Sequence, residues 1–259
     1  MTVLDRFRLD GKRFFITGGS RGLGREMALA MAEAGADAVL AGRDAASLER
    51  TATDIRARGR RCSTVMADIG SPEGAEQACR AALAEGPIHI LVNNIGGRRI
   101  NVPLQDEPLE VWREMIDLNL TSTFQCTRLV GGEMVRRGEG GRVINTASIS
   151  GLVANRGIGG RHYETAKAAV IHFTRAAAAD WAAHGVTVNA ILPGMFMTEP
   201  NQRWARENPA MIEAGRTQIP MGVFGQPEDL GPLAVYLASD ASRYMTGASL
   251  VIDGGYTLW

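Results

Sequence analysis

The stretch RFFITGGSRGLG, residues 13–24, decides the fold class. Its first five residues form an apolar run of strand length. Glycines at 18, 19, 22 and 24 follow at once, and a helical pattern then runs over 23–34 and stops at Gly35. Glycines permit a tight turn and close approach of the backbone to an anion. The start of the helix adds free N–H groups and the positive end of the dipole. The spacing is T-G-x-x-x-G-x-G, not the strict G-x-G-x-x-G, so this turn alone also fits an ordinary strand-to-helix connection. Its candidates for phosphate binding are Gly18, Ser20, Arg21, Gly22, Leu23 and Gly24.

Outward from this turn the pattern repeats. Short apolar runs over 37–42, 62–67, 88–92, 142–146, 186–192 and 248–252 alternate with helical patterns over 45–58, 71–85, 108–135, 164–183 and 227–239. Ser71 followed by Pro72 is an N-cap and first-turn pair. Such alternation predicts an α/β fold, a doubly wound parallel sheet of about seven strands with helices on both faces. A chain of 259 residues would allow one or two domains at ~150 residues each. No linker interrupts the alternation, so residues 1–259 are expected to form a single domain. Only 194–220 departs from it. It carries Met195, Phe196, Met197, Trp204 and Met211 and has the length of a substrate lid.

Lys+Arg and Asp+Glu are 28 each, for zero net charge, which argues against a nucleic-acid partner. The three cysteines are widely spaced and form no Cys/His cluster, so neither a metal site nor a disulfide framework is expected. The odd count suits a reducing cytoplasm. No run of about 18 apolar residues exists, so no membrane span is expected. These features point to a cytoplasmic protein acting on a small molecule.

Two further patterns carry chemistry. The second strand ends Ala41-Gly42-Arg43. A dinucleotide site selective for NAD wants an acidic side chain there, whereas Arg43, helped by Arg21, offers a planar fork for a 2′-phosphate. Two charged hydrogen bonds would favour NADP(H) over NAD(H) by roughly tenfold to several thousandfold. Asp44 lies one place late for the acidic role. The second pattern is Tyr163-Glu164-Thr165-Ala166-Lys167, which sets Tyr163 and Lys167 on one helix face. An adjacent ammonium and the cofactor's charge together are an adequate source for lowering a phenol's pKa toward neutrality.

With these residues the chain resembles the short-chain dehydrogenase/reductase family, in its single-domain Rossmann-type form, over nearly its whole length. The likeness rests on residues 17–24, Asp68, Asn93-Asn94-Ile95-Gly96, Asn119, Ser148, the Tyr163/Lys167 pair, Pro193-Gly194 with Thr198, and the ending Asp253-Gly254-Gly255. The resemblance implies that Tyr163 is the general acid or base, and that Lys167 lowers its pKa and holds the nicotinamide ribose. It implies that Ser148 positions the carbonyl and that Asn119 holds a relay water. Asp68 and Ile69 would meet the adenine, Asn94 and Gly96 would lie along the cofactor, and Pro193, Gly194 and Thr198 would meet the nicotinamide end. Ile95 stands where the family usually has Ala. Ser150 competes with Ser148 for the carbonyl.

Arg98, Asn155, Arg156 and Arg161 surround the expected mouth. They predict a polyhydroxylated or carboxylate-bearing substrate such as a sugar acid, with an arginine on the carboxylate; these arginines would also suit a solvated surface or a subunit contact. The sequence is similar to the gluconate 5-dehydrogenase and 3-oxoacyl-carrier-protein reductase branches. Alternatives are a 3-oxoacyl thioester reductase, an NAD-dependent polyol dehydrogenase and a non-catalytic nucleotide-binding scaffold. The family likeness also implies a homotetramer.

Overall fold

The computed structural model describes residues 2–155 and 158–258. Seven strands form one parallel sheet: β1 Arg13–Thr17, β2 Asp37–Gly42, β3 Cys62–Met66, β4 Ile90–Asn93, β5 Gly141–Thr146, β6 Val186–Pro193 and β7 Ser249–Ile252. Their order is β3-β2-β1-β4-β5-β6-β7. The winding reverses between β1 and β4, which pair with Ile16 opposite Val92. Such a switch point opens a crevice at the carboxyl ends of the two strands. The glycine turn leaves β1 there, and Asn94 leaves β4 beside it.

The strands are apolar because both faces are covered. In β1, Phe14 and Ile16 point to one side and Phe15 to the other, by the two-residue period of a strand. Phe14 and Ile16 pack with Met27 and Met31 of α1 (Gly22–Glu33) and with Leu230 and Leu237 of α10 (Leu230–Ala238). Phe15 packs with Cys79 of α3 (Pro72–Ala84) and Cys126 of α5 (Ser122–Cys126). All eight residues of β6 are buried. The remaining helices are α2 Ala45–Ala57, α4 Leu109–Ile116, α6 Gly132–Arg137, α7 Arg161–Trp181, α8 Glu199–Glu207 and α9 Pro209–Arg216.

Three differences from the sequence-based expectation bear on the site. The helical pattern over 108–135 is one long run in which α4, α5 and α6 are joined by π-turns at Asp117–Thr121 and Thr127–Gly131. The seventh helix begins at Arg161, three residues before the expected start, which puts Tyr163 in its first turn. The 194–220 segment is largely helical, containing α8 and α9. Among the described residues no helix is long and apolar enough to cross a membrane.

Candidate active site

The crevice is stitched together by polar side chains at its base. Thr17 Oγ1 accepts the backbone N–H groups of Asn94 (2.9 Å) and Ile95 (3.1 Å). Asn94 Nδ2 donates to the carbonyls of Thr17 and Gly18, each at 3.2 Å. Gly24 is buried in this join, where a Cβ would collide with the Gly18 carbonyl and the Asn94 amide. α1 can therefore approach the turn only through glycine. Above lies a cleft of about 240 Å³ whose walls are Arg21, Leu23, Gly24, Asn94, Gly96, Ser148, Tyr163, Lys167, Pro193 and Gly194, with Gly97, Thr146 and Ala147. Thr198 reaches over the turn, its Cγ2 3.6 Å from where a Gly22 Cβ would stand. Ile69 is fully buried and does not line the cleft. Ile95 packs toward the core, partly buried.

At the end of β2, Arg43 is exposed and stands 3.8 Å from Asp68. Ser20 lies against Gly42. Asp44 accepts from the Ser47 N–H at 2.8 Å and caps α2, so its carboxylate is committed to the helix start. Arg21 borders both the cleft and a second hollow of about 290 Å³, shared with Arg203 and Arg206 of α8. Nothing in the sequence marks these two arginines for the site beyond their spacing along one helix.

Lys167 is buried and its Nζ donates to the Thr146 carbonyl at 2.8 Å. Burial pulls its ammonium down to about 8. The Tyr163 phenol and the Ser148 hydroxyl line the cleft together. Burial pushes that phenol above its ordinary pKa, while the neighbouring Ser148 hydroxyl and the charge of Arg98 pull it back. Ser150 faces elsewhere, its Oγ accepting from Asn155 Nδ2 at 2.9 Å. Asn119 sits in the first π-turn, a helical irregularity common at functional sites. Its side chain is occupied by Gly97, accepting from the N–H at 2.9 Å and donating to the carbonyl at 3.1 Å. Ser148, Tyr163 and Lys167 thus line one cleft, with Asn119 buried behind Gly97.

Comparison with known proteins identifies the family. A family model described as enoyl-(acyl carrier protein) reductase matches residues 18–257. The chain belongs to the short-chain dehydrogenase/reductase family. It is an oxidoreductase of alcohol or keto groups. It is 39% identical to galactitol 2-dehydrogenase (L-tagatose-forming) of Cereibacter sphaeroides over 98% of each chain. It is 36% identical to the rhamnolipids biosynthesis 3-oxoacyl-[acyl-carrier-protein] reductase of Pseudomonas aeruginosa, over 97% of this chain and 98% of that protein. The gluconate 5-dehydrogenase of Burkholderia cenocepacia J2315, solved in complex with NADP and tartrate, superposes with a TM-score of 0.91 at 34% identity over the full length of both.

In this dehydrogenase/reductase three of the four donors expected at the substrate, Arg98, Asn155 and Arg161, are hydrogen-bonded to Glu164. Its carboxylate accepts from Arg98 Nη2 (3.2 Å), Arg161 Nη1 (2.6 Å), the Asn155 N–H (3.0 Å) and Asn155 Nδ2 (3.0 Å). A buried carboxylate needs compensating charge and donors, and Glu164 is the one acid between Tyr163 and Lys167 in the chain. Arg156 lies outside the described residues. His162 turns away from the cleft, buried against Glu107. Sequence alone does not single out Glu164, because the donors that mark it come from separate loops.

Proposed function

We propose that the protein transfers a hydride between NADP(H) and the carbonyl or secondary alcohol of a polyhydroxylated substrate. The carrying observation is the convergence of Ser148, Tyr163 and buried Lys167 on one cleft. When bound, the nicotinamide supplies or accepts the hydride. The residues fit such a cofactor. Gly18, Gly22 and Gly24 keep the turn free of side chains, and Asn94 ties that turn to β4. Arg21, Arg43 and Ser20 would supply donors for a 2′-phosphate, and Asp68, with Ile69 after it, would meet the adenine. Gly96, Pro193, Gly194 and Thr198 border the far end.

At that end the Tyr163 hydroxyl gives its proton to the carbonyl oxygen in reduction and takes it back in oxidation. Ser148 Oγ orients that oxygen. Lys167 holds the ribose hydroxyls, and Asn119 fixes the wall at Gly97 through which a relay water reaches Lys167. The 194–220 segment closes over the substrate as a lid. Arg98 and Arg161 are paired with Glu164, so the carboxylate part of the expected substrate loses these donors. A neutral polyol or its ketose is therefore the substrate class proposed, in keeping with the activity named for the galactitol relative. The same reading takes the protein as a cytoplasmic homotetramer; its three cysteines are free.

The test is Tyr163→Phe. Turnover of galactitol with NADP should disappear while NADPH binding, followed by fluorescence, persists. Near-normal turnover in that variant would refute the assignment. A panel of polyols, sugar acids, keto esters and acyl thioesters assayed with each cofactor should rank polyols with NADP first.

A further inference from the structure

Glu164 lies between Tyr163 and Lys167 in the chain, and its four donors fix more than a loop. Burial pushes its carboxyl upward, yet the Asn155 N–H, Arg161, the Asn155 amide and Arg98 outweigh this and hold it below the ordinary range. It is therefore ionised at neutral pH. Arg98 is gripped from the other side as well, with Nη1 donating to the carbonyls of Gly159 (2.6 Å) and Gly160 (3.3 Å). Held at both ends, its guanidinium carbon lies over the Tyr163 ring, 4.9 Å from the centroid. Lys167 Nζ is farther, at 5.7 Å. The Arg98 side chain is only 16% exposed, so its charge is weakly screened.

We propose that Arg98 is a positioning residue for proton transfer, holding a guanidinium over the Tyr163 ring so that the phenolate is favoured, while Glu164 anchors that cation and tempers its charge. A phenolate spreads negative charge into its ring, so a cation over the ring favours it more than the neutral phenol. Lys167 also faces the ring but from farther off, at 5.7 Å, and the remaining groups around Tyr163 are neutral or paired elsewhere. Ser148, from the loop after β5, is neutral. Lys167, on the same helix, is directed at the Thr146 carbonyl. Arg161 is paired with Glu164, His162 with Glu107, and Arg21 belongs to the glycine turn after β1. The opposing pulls on the phenol described above include Arg98 as a charge acting to lower it.

The inference rests on Tyr163 being the proton-transfer group, and the experiment separates the two. The pH profile of kcat/KM for galactitol oxidation with NADP is measured alongside an ultraviolet titration of phenolate in the NADP complex, with Tyr163→Phe as the blank. Arg98→Met should move the Tyr163 titration to higher pH by ~1 unit, and Arg98→Lys should restore most of it. Glu164→Gln removes the tempering charge but leaves Arg98 on the Gly159 and Gly160 carbonyls, so the titration should move to lower pH. Opposite shifts support the inference, because simple loosening of the site would move both variants the same way. An unmoved titration in Arg98→Met, with a raised KM for galactitol, would overturn it and make Arg98 a substrate contact. If Arg98→Met fails to fold, Glu164→Gln and Arg98→Lys decide alone; shifts of the same sign reject the inference. Turnover surviving in Tyr163→Phe would instead sink the underlying reading. The spectroscopic arm needs no turnover, so its result for Arg98 holds whichever substrate is used.

Discussion

Gly96 shows how little room the reaction end allows. Its φ is +154°, and a Cβ would lie 2.7 Å from Asn119 Oδ1 and 3.0 Å from Lys167 Nζ. Neither neighbour can retreat: Asn119 is tied to Gly97 and Met115, and Lys167 to Thr146. Gly96→Ala should therefore weaken NADPH binding by roughly tenfold or more in a fluorescence titration, with little change in circular dichroism. Lys167 gives a second residue-level prediction. Its ammonium titrates at about 8 when folded, against 10.5 ordinarily. Between those values the unfolded chain binds the extra proton, so stability rises with pH across that window. Lys167→Met should abolish turnover, flatten that rise and stabilise the fold at neutral pH by about 1–3 kcal/mol, read from urea unfolding at several pH values. Loss of stability at neutral pH would contradict it. Single residues are also where the sequence is least legible. Tyr163, Lys167 and Ser148 can be read because their spacing is local. The pairing of Arg98, Asn155 and Arg161 with Glu164 cannot, because the loop after β4, the loop after β5 and the start of α7 meet only in the folded chain.

Elements are legible to within a few residues, and the departures have physical causes. The early start of α7 at Arg161 follows Gly160, whose φ of +78° turns the chain into the helix without a side-chain cap for a reader to recognise. The π-turns of the α4–α6 run insert a residue without breaking the apolar pattern, so periodicity passes over them. The junction of β2 and α2 can be read in two ways, with Arg43 or Asp44 at the ribose. The structure gives Asp44 to the helix cap. Two variants separate the roles. Asp44→Ala should lower stability, as for other lost N-caps, and leave the NADP-to-NAD ratio of kcat/KM unchanged. Arg21→Ala combined with Arg43→Ala should leave stability nearly intact and reduce that ratio by roughly tenfold or more. A ratio unchanged by the double substitution would remove the case for a 2′-phosphate site.

For the whole molecule, the alternation of strands and helices is enough to give the sheet, its parallel sense and its two covered faces, because a doubly covered strand is written in apolar residues. How chains associate is carried by surface side chains, where no periodicity constrains the sequence. Phe124 of α5 is 45% exposed, although its ring meets Phe173 of α7 edge-on at 6.0 Å. A single exposed apolar side chain is ordinary. An aromatic pair joining two helices and half open to water is a better candidate for contact between copies. The placement also has a functional side, since α7 carries Tyr163 and Lys167 near its start and Phe173 near its middle. If the homotetramer forms through this face, sedimentation should give a mass near four times the 27.8 kDa chain. Phe124→Glu should then yield smaller species, and turnover should fall with them as α7 loses its outer support, while NADPH binding at the glycine turn on the opposite side of the switch point changes less. A protein that sediments as a monomer at micromolar concentration, or a Phe124→Glu variant that stays tetrameric, would show that this face is simply solvated.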